Sequence, residues 1–283
     1  MKSKVIAVAG PTASGKTKLA IELAHKYNGE VISADSRLVY KGFNIAAAKP
    51  TLEEMEGIPH HLIDIVEPEF DYSAGDYARD AREKIEDILS RGKTPIVAGG
   101  TGLYFRVLLE HYNLPKVETN YALREELSQK TREQLLADIK ELDEKTFENI
   151  TLETSKRRLI RIIELIKTLG KPLSEVETQK EPEYDVEWVM PELPSREWLY
   201  DRINKRVDLM VEQGIVEETK SLLAKHGRIK NFTETIGYKE ILAYLDGAWT
   251  FDEALDKLKQ HTRNYAKRQL TWFRKNPNLG VNI

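Results

Sequence analysis

The residues of this sequence that could do chemistry begin at Gly10. The run "GPTASGKT" (Gly10, Pro11, Thr12, Ala13, Ser14, Gly15, Lys16, Thr17) has the spacing G-x-x-x-x-G-K-[ST]. That spacing has a mechanical reason. Gly10 and Gly15 let the backbone turn tightly around an anion. Loop amides and the first turn of the helix that follows point inward, where the helix dipole also favours negative charge. Lys16 supplies a point charge to a terminal phosphate, and the Thr17 hydroxyl is a ligand for Mg2+. A phosphate group is the expected ligand, but many reactions share such a loop.

Two further features bear on which reaction it is. Typical ATPases with this loop place a Mg2+-holding Asp at the end of another buried strand. Here the candidate strand "TPIVAGG" ends in Gly99, Gly100 and Thr101, with no acid, so strong nucleotide hydrolysis is not expected. The strand offers a second glycine-rich turn instead, "GGTGLY". Its Thr101 hydroxyl either faces the first loop across the sheet edge, where α/β ligands bind, or caps its own helix. The acid that does emerge at a strand end is Asp35, in "SADSRLVY". Beside a phosphate, its carboxylate suits either Mg2+ coordination or the role of a base. It also suits a plain turn cap.

Positioning these groups requires a parallel sheet. Residues 4–9 read as a buried strand and 15–27 as a helix with Leu19, Leu23 and Tyr27 on one face, stopped at Gly29. "EVISAD" is the next strand. A helix over 72–91, with Ser73 as N-cap, leads to the strand "TPIVAGG" and the helix "TGLYFRVLLEHY". Strand, helix, strand, helix, strand in this order implies right-handed crossovers. Residues 123–173 are then helical in period, a strand returns near 186–190, and long helices cover 199–224 and 251–275. The expected architecture is an α/β core of residues 1–114 and 183–283, with a helical insertion at 115–182.

With 283 residues and no cysteine, the chain has no disulfide, thiolate zinc site or cysteine nucleophile. The opening apolar run is too short for a signal peptide, and no stretch approaches the roughly eighteen apolar residues of a membrane span. A cytoplasmic protein with no membrane partner is expected. The net charge of −3 argues against a uniformly basic nucleic-acid binder, yet two segments concentrate basic residues: 156–171 and 257–275. Arg263, Lys267 and Arg274 fall near one face of the second. Each segment is either a polyanion site or a solvated helix face. His60 and His61 lack a third ligand spaced for a metal. Trp188, Trp198, Trp249 and Trp272 read as core.

Several segments together resemble the tRNA dimethylallyltransferase (tRNA isopentenyltransferase) family in its bacterial form, over nearly the whole chain. They include "GPTASGKT", "SADSRLVYKGFNI" with "AKP" after it, "GIPHHLIDIVEP", "YSAGDYARDA", "VAGGTGLYF", "TIGYKEILAYL" and "TRNYAKRQLTWFR". "GGTGLY" and "TRNYAKRQLTWF" are far more specific than the phosphate loop. The resemblance implies a P-loop nucleotide-kinase-like core and an inserted helical domain that contacts tRNA. It also implies transfer of a dimethylallyl group from dimethylallyl diphosphate to N6 of the adenosine 3′ to the anticodon, with Mg2+ and the tRNA anticodon stem-loop as partners and a monomer expected. The loop would then hold a diphosphate that leaves, which fits the missing acid after "TPIVAGG".

Carried over by position, the resemblance makes Asp35 the general base, puts Thr101 near the reacting centre and places Lys16 on the diphosphate. Arg202 and Arg206 match an arginine motif facing the substrate channel. The tRNA-contacting stretches would be Asp35, Ser36, Arg37 and Leu38; Leu123 with Arg158, Leu159, Ile160, Arg161 and Ile162; Ile236, Gly237, Tyr238 and Lys239; and Arg263, Lys267, Arg268 and Gln269. Two departures stand out. Ala46-Ala47 replaces the usual Gly-Thr before "AKP", and "TLETS" (151–155) replaces a His-Pro-Asn-Asp type of turn. Rival readings are a P-loop small-molecule kinase, a transferase acting on free adenine nucleotides, and a nucleotide-switched RNA-binding protein. The first does not explain the basic "TRNYAKRQ" segment, the second has less need of it, and the third predicts RNA binding modulated by ATP with no covalent product.

Overall fold

The computed structural model describes residues 2–110, 112, 115, 117–177, 181, 183–281 and 283. The chain divides into two compact units, Met1–Glu110 with Pro182–Ile283, and His111–Glu181.

The first unit is built on five parallel strands: β1 (Ser3–Ala9), β2 (Gly29–Ala34), β3 (His60–His61), β4 (Thr94–Gly99) and β5 (Tyr184–Val189). Their spatial order is β3-β2-β4-β1-β5. The inner strands are near-continuous apolar runs because helices cover both faces: Val5 to Ala9, Ile32, Ala34, Ile96 and Val97 are almost wholly buried. Helix α1 (Lys16–Tyr27) ends on Asn28 in the left-handed region, at φ 50°, one residue before the expected stop at Gly29. Gly29 instead opens β2, where a Cβ would lie 2.8 Å from the Thr94 carbonyl oxygen. Helix α2 (Ala74–Ser90) starts with a full capping box between Ser73 and Asp76.

Helix α3 (Gly102–Leu109) follows β4. Beyond β5 the expected single helix over 199–224 is two, α8 (Arg196–Glu212) and α9 (Ile215–His226), because Gly214 at φ 91° breaks the run. The short α10 (Lys230–Thr233), then α11 (Tyr238–Leu245) and the 23-residue α12 (Phe251–Phe273) complete the unit.

The second unit is helical: α4 (Tyr121–Ser128), α5 (Arg132–Leu142), α6 (Glu144–Glu148) and α7 (Lys156–Leu169). Leu127, Leu135, Ile139, Leu159, Ile163 and Ile166 form its core. Buried Glu164 accepts hydrogen bonds from Asn120 N (2.8 Å), Arg124 (3.0 Å) and Arg161 (2.7 Å). The "TLETS" turn has a local account: Ser155 caps α7, and the Arg132 guanidinium donates to the carbonyls of Thr151, Leu152 and Thr154. His60 and His61 each make contacts within the first unit. His60 Nδ1 bonds the Ile58 carbonyl, and His61 joins Arg91 and Lys93 around buried Glu30.

Because β4 lies between β1 and β2, the turns at their carboxyl ends converge. Gly99 sits at this junction, and a Cβ there would lie 2.1 Å from the Ala34 carbonyl oxygen. Gly99→Ala should therefore destabilise the protein by about 3 kcal/mol or more, at or beyond the upper end of ordinary overpacking. Denaturant unfolding measures this, and a loss below about 1 kcal/mol would mean the strands separate there at little cost.

Candidate active site

Backbone geometry shapes the loop after β1. The Gly10 amide bonds the Gly99 carbonyl at 3.3 Å. Ala13 (φ 61°) and Gly15 (φ 92°) both take left-handed conformations. Glycine does so freely, whereas for alanine this costs roughly 1–2 kcal/mol, a strain that persists where the surroundings impose it. The Ser14 hydroxyl is buried with no partner among the described residues. Such a group ordinarily has one, and an anion in the loop would supply it.

Three cations point at this loop. Lys16 Nζ donates to the Pro11 carbonyl (3.1 Å), Arg202 Nε to the Ala13 carbonyl (2.8 Å), and Arg206 to Thr12 Oγ1 (3.2 Å). Arg202 also lies over the Trp198 ring at 4.8 Å. Both arginines come from one face of α8, four residues apart, so the helix spacing aims them together. None of the three makes an ion pair with a carboxylate among the described residues. Burial pulls Lys16 down to about 8, with Arg206 pushing the same way and Asp35 opposing. Arg206 is lowered too, chiefly by burial.

Asp35 follows β2 directly. Its Oδ1 accepts the Arg37 amide at 2.8 Å, so it does form the turn cap that was one reading, and it also acts electrostatically on Lys16 and Arg206. Thr101 occupies the N-cap position of α3 but makes no side-chain capping bond. Its Oγ1 accepts the Ser36 amide at 3.1 Å, tying the β2 and β4 turns together, and the Tyr265 phenol of α12 lies nearby. Burial, with Asp35 nearby, pushes the Tyr265 phenol up, so it stays neutral.

A cavity of about 450 Å3 runs from here, within the usual range of small-ligand sites. Thr12, Asp35 and Arg206 line one part. Ala46, Ala47, Ala48, Ile203, Val207, Met210 and Leu258 form an apolar part, and Glu240, His261, Thr262 and Tyr265 a polar one. The Ala46-Ala47 departure thus lies in the cavity wall itself. Glu218 holds that wall, accepting the Ile45 amide (2.9 Å) and the Tyr238 hydroxyl (2.7 Å).

Some expected contact residues have other positions. Gln269 is buried and braces the two glycine loops: its Oε1 accepts the Thr12 amide and its Nε2 donates to the Gly100 carbonyl, each at 2.9 Å. Each end of its amide is therefore engaged within the protein. Leu159 and Ile162 face the core of the helical unit, where Leu123 and Ile160 pack against them, and Arg161 is held by Glu164. Gly237 and Tyr238 are buried, Ile236 lines the cavity and Lys239 is exposed. Arg263 shares a face of α12 with Lys267, as expected, and its guanidinium donates to Asn204 at 2.7 Å, while Arg274 lies past the end of α12 and bonds the Ile283 carbonyl. Lys267, Arg268 and Arg158 are exposed, as is Thr17 at the loop mouth; Ser36, Arg37 and Leu38 are half-buried beside Asp35. The four tryptophans are half-buried rather than core, and Trp272 covers Gly102 so closely that a Cβ there would meet its ring at 2.2 Å. Sequence reasoning did not single out Tyr265, Glu218, Glu240 or His261. A readable signal existed for two of them: His261, Tyr265 and Gln269 recur at four-residue spacing on one helix face.

The IPP transferase family model matches residues 38–276, and an isopentenyl transferase model matches 3–67. This chain belongs to the IPP transferase family. It is 48% identical to a tRNA dimethylallyltransferase of Streptococcus thermophilus, covering 97% of this chain and 89% of that one. A relative of the same name from Bacillus pumilus is 43% identical, covering 96% and 87%. Among solved structures, a eukaryotic dimethylallyltransferase acting on tRNA is 31% identical with a TM-score of 0.83, over 99% of this chain and 73% of that one. The full-length tRNA isopentenylpyrophosphate transferase of Bacillus halodurans is 42% identical with a TM-score of 0.72, over 98% and 88%. Among the described residues, no helix of this IPP transferase is long and apolar enough to cross a membrane.

The Lys16 environment has a consequence for stability. Between about pH 8 and 10.5 the unfolded chain holds a proton that the folded, ligand-free enzyme has released, so stability rises with pH across that window. The cost of confining charged Lys16 is therefore present in full at neutral pH. Lys16→Met should raise the melting temperature of the ligand-free enzyme at pH 7 while abolishing diphosphate binding, measured by calorimetry. In the wild type, diphosphate affinity should fall as pH rises past about 8. A lower melting temperature with retained affinity would contradict this reading.

Proposed function

We propose that this enzyme transfers the dimethylallyl group of dimethylallyl diphosphate to N6 of the adenosine 3′-adjacent to the anticodon of tRNA and releases diphosphate. The observation that carries the reading is a cluster of three cations without carboxylate partners, around a strained phosphate loop that opens into a half-apolar cavity containing Asp35. A nucleotide kinase needs the loop, but an apolar lining in which Ala46 and Ala48 pack against Val207, Met210 and Leu258 suits a hydrocarbon.

In this reading the loop amides, the Ser14 hydroxyl, Lys16, Arg202 and Arg206 hold the diphosphate. Their fixed charges favour the transition state, in which negative charge grows on the leaving oxygen. The apolar wall orients the five-carbon group and excludes water from a reactive allylic centre. The adenine amine is a weak nucleophile because its lone pair is delocalised into the ring. Holding it in line with the allylic carbon supplies effective concentration, and Asp35 accepts its proton as the C–N bond forms. Thr101, fixed by the Ser36 amide, is a further hydrogen-bonding group near that carboxylate. The adenosine leaves its stack to enter the cavity, and exposed Lys267, Arg268, Lys239 and Arg158 are the candidates for RNA backbone contact.

The donor set fits Mg2+ brought in with the diphosphate. This cation keeps several waters and takes only one or two protein oxygens beside phosphate. Thr17 offers a hydroxyl at the loop mouth, and no group of three or more His, Asp or Glu gathers for a metal among the described residues. When bound, Mg2+ offsets charge on the departing diphosphate.

Incubation with dimethylallyl diphosphate, Mg2+ and unmodified tRNA, followed by nucleoside mass spectrometry, should yield N6-dimethylallyladenosine. Phosphorylated product from ATP without prenylated adenosine would overturn the assignment. Asp35→Asn should lower the single-turnover rate about 10^2- to 10^4-fold with donor and tRNA affinity little changed. Loss of donor affinity, restored at high Mg2+, would make Asp35 a metal ligand instead. Neutralising Lys267 and Arg268 together should weaken tRNA binding and flatten its salt dependence; an unchanged slope would leave them as solvated surface.

A further inference from the structure

Glu240 has no solvent-exposed surface and yet borders the cavity. A buried carboxylate is costly without partners, and this one has two. Its Oε2 accepts the Gly237 amide at 2.7 Å, closing the first turn of α11, and its Oε1 is 2.6 Å from His261 Nδ1 on α12. Capping α11 uses one oxygen, so the second oxygen is committed to the imidazole. In the neutral ring a carboxylate beside Nδ1 selects the Nδ1–H tautomer, in which Nε2 is an acceptor. The His261 side chain is 31% exposed and lines the cavity, and Nε2 has no hydrogen-bond partner among the described residues. Four residues along the same face of α12 stands Tyr265, which lines the cavity with Asp35 and lies near Thr101.

We infer that the Glu240–His261 pair is a substrate-recognition device: the neutral His261 ring accepts a hydrogen bond from the target adenosine at Nε2, and Glu240 is the positioning residue that holds Nδ1–H and orients the ring. This rests on the cavity being the place where the adenosine is prenylated. The donors that the target adenosine offers within the RNA chain are its ribose 2′-hydroxyl and the amine hydrogen not taken by Asp35. The chemistry is the same for both, namely an uncharged O–H or N–H facing an imidazole lone pair.

Two substitutions separate recognition from glue. In His261→Asn the side-chain amide still donates to Glu240, so the link between α11 and α12 is kept while the Nε2 acceptor is lost. In Glu240→Gln the amide donates to Nδ1 and its oxygen still accepts from Gly237, so the imidazole proton moves to Nε2 and the cavity side becomes a donor. Steady-state kinetics with an unmodified anticodon stem-loop should show KM for RNA raised about five- to tenfold in each variant, the scale of one neutral hydrogen bond. KM for dimethylallyl diphosphate and the melting temperature should stay near wild type. The double variant should be no worse than either single one, because both remove the same bond. A stem-loop carrying 2′-deoxyadenosine at the target position identifies the donor. If the ribose is read, wild type loses the same factor on this substrate and His261→Asn adds nothing; if the amine is read, wild type is unaffected and the variant's defect persists. RNA KM values equal to wild type in both variants would overturn the inference and leave the pair as a helix–helix contact. Failure of wild type to prenylate the stem-loop would instead sink the proposed function, so the two failures are distinguishable.

Discussion

The site depends on positive charge that the protein itself leaves unneutralised. Lys16, Arg202 and Arg206 converge on one loop through carbonyl and hydroxyl contacts, without an ion-pair partner among the described residues. Burial pulls Lys16 down to about 8, the expected response of an ammonium removed from water. An arrangement of this kind lowers stability until an anion arrives. Diphosphate binding would then draw on an electrostatic cost already met during folding, and the same charges would favour its departure as a leaving group. The strain at Ala13 and the unpartnered Ser14 hydroxyl belong to the same preorganisation.

What holds the charges in place is sheet order. With β4 between β1 and β2, the phosphate loop, Asp35 and the Thr101 turn come from three adjacent strand ends. Gln269 then locks the phosphate loop to the Thr101 turn from above with two hydrogen bonds, and the Ser36 amide links the Asp35 turn to Thr101. Three loops that would be mobile alone are therefore set by one glutamine, one threonine and the close strand contact at Gly99.

Much of this was legible in the sequence, for physical reasons. The G-x-x-x-x-G-K-[ST] loop announces itself because few residues tolerate its backbone. The buried strands are continuous apolar runs, and Asp35 stands at the end of one. Less legible was anything fixed by tertiary contact. Gln269 sits in a basic segment and reads as an RNA contact, yet its partners lie 257 and 169 residues away. Leu159 and Ile162 carry the core side of an amphipathic helix whose other side is basic, and position in a motif does not separate the two sides. The break at Gly214 was readable in principle, since an isolated glycine inside a helical period often marks an end. The cavity wall at Ala46–Ala48 could be seen as a departure from a pattern, but its proximity to Val207 and Leu258 requires the fold.

The central claim is that the phosphate loop binds a group that departs rather than one that is donated. Quantifying inorganic diphosphate against prenylated adenosine in a single reaction without ATP tests this most directly. The account predicts one diphosphate per prenylated adenosine, full activity without nucleotide, and competitive inhibition by added diphosphate against dimethylallyl diphosphate. A requirement for ATP, or diphosphate inhibition that is not competitive with the donor, would contradict it.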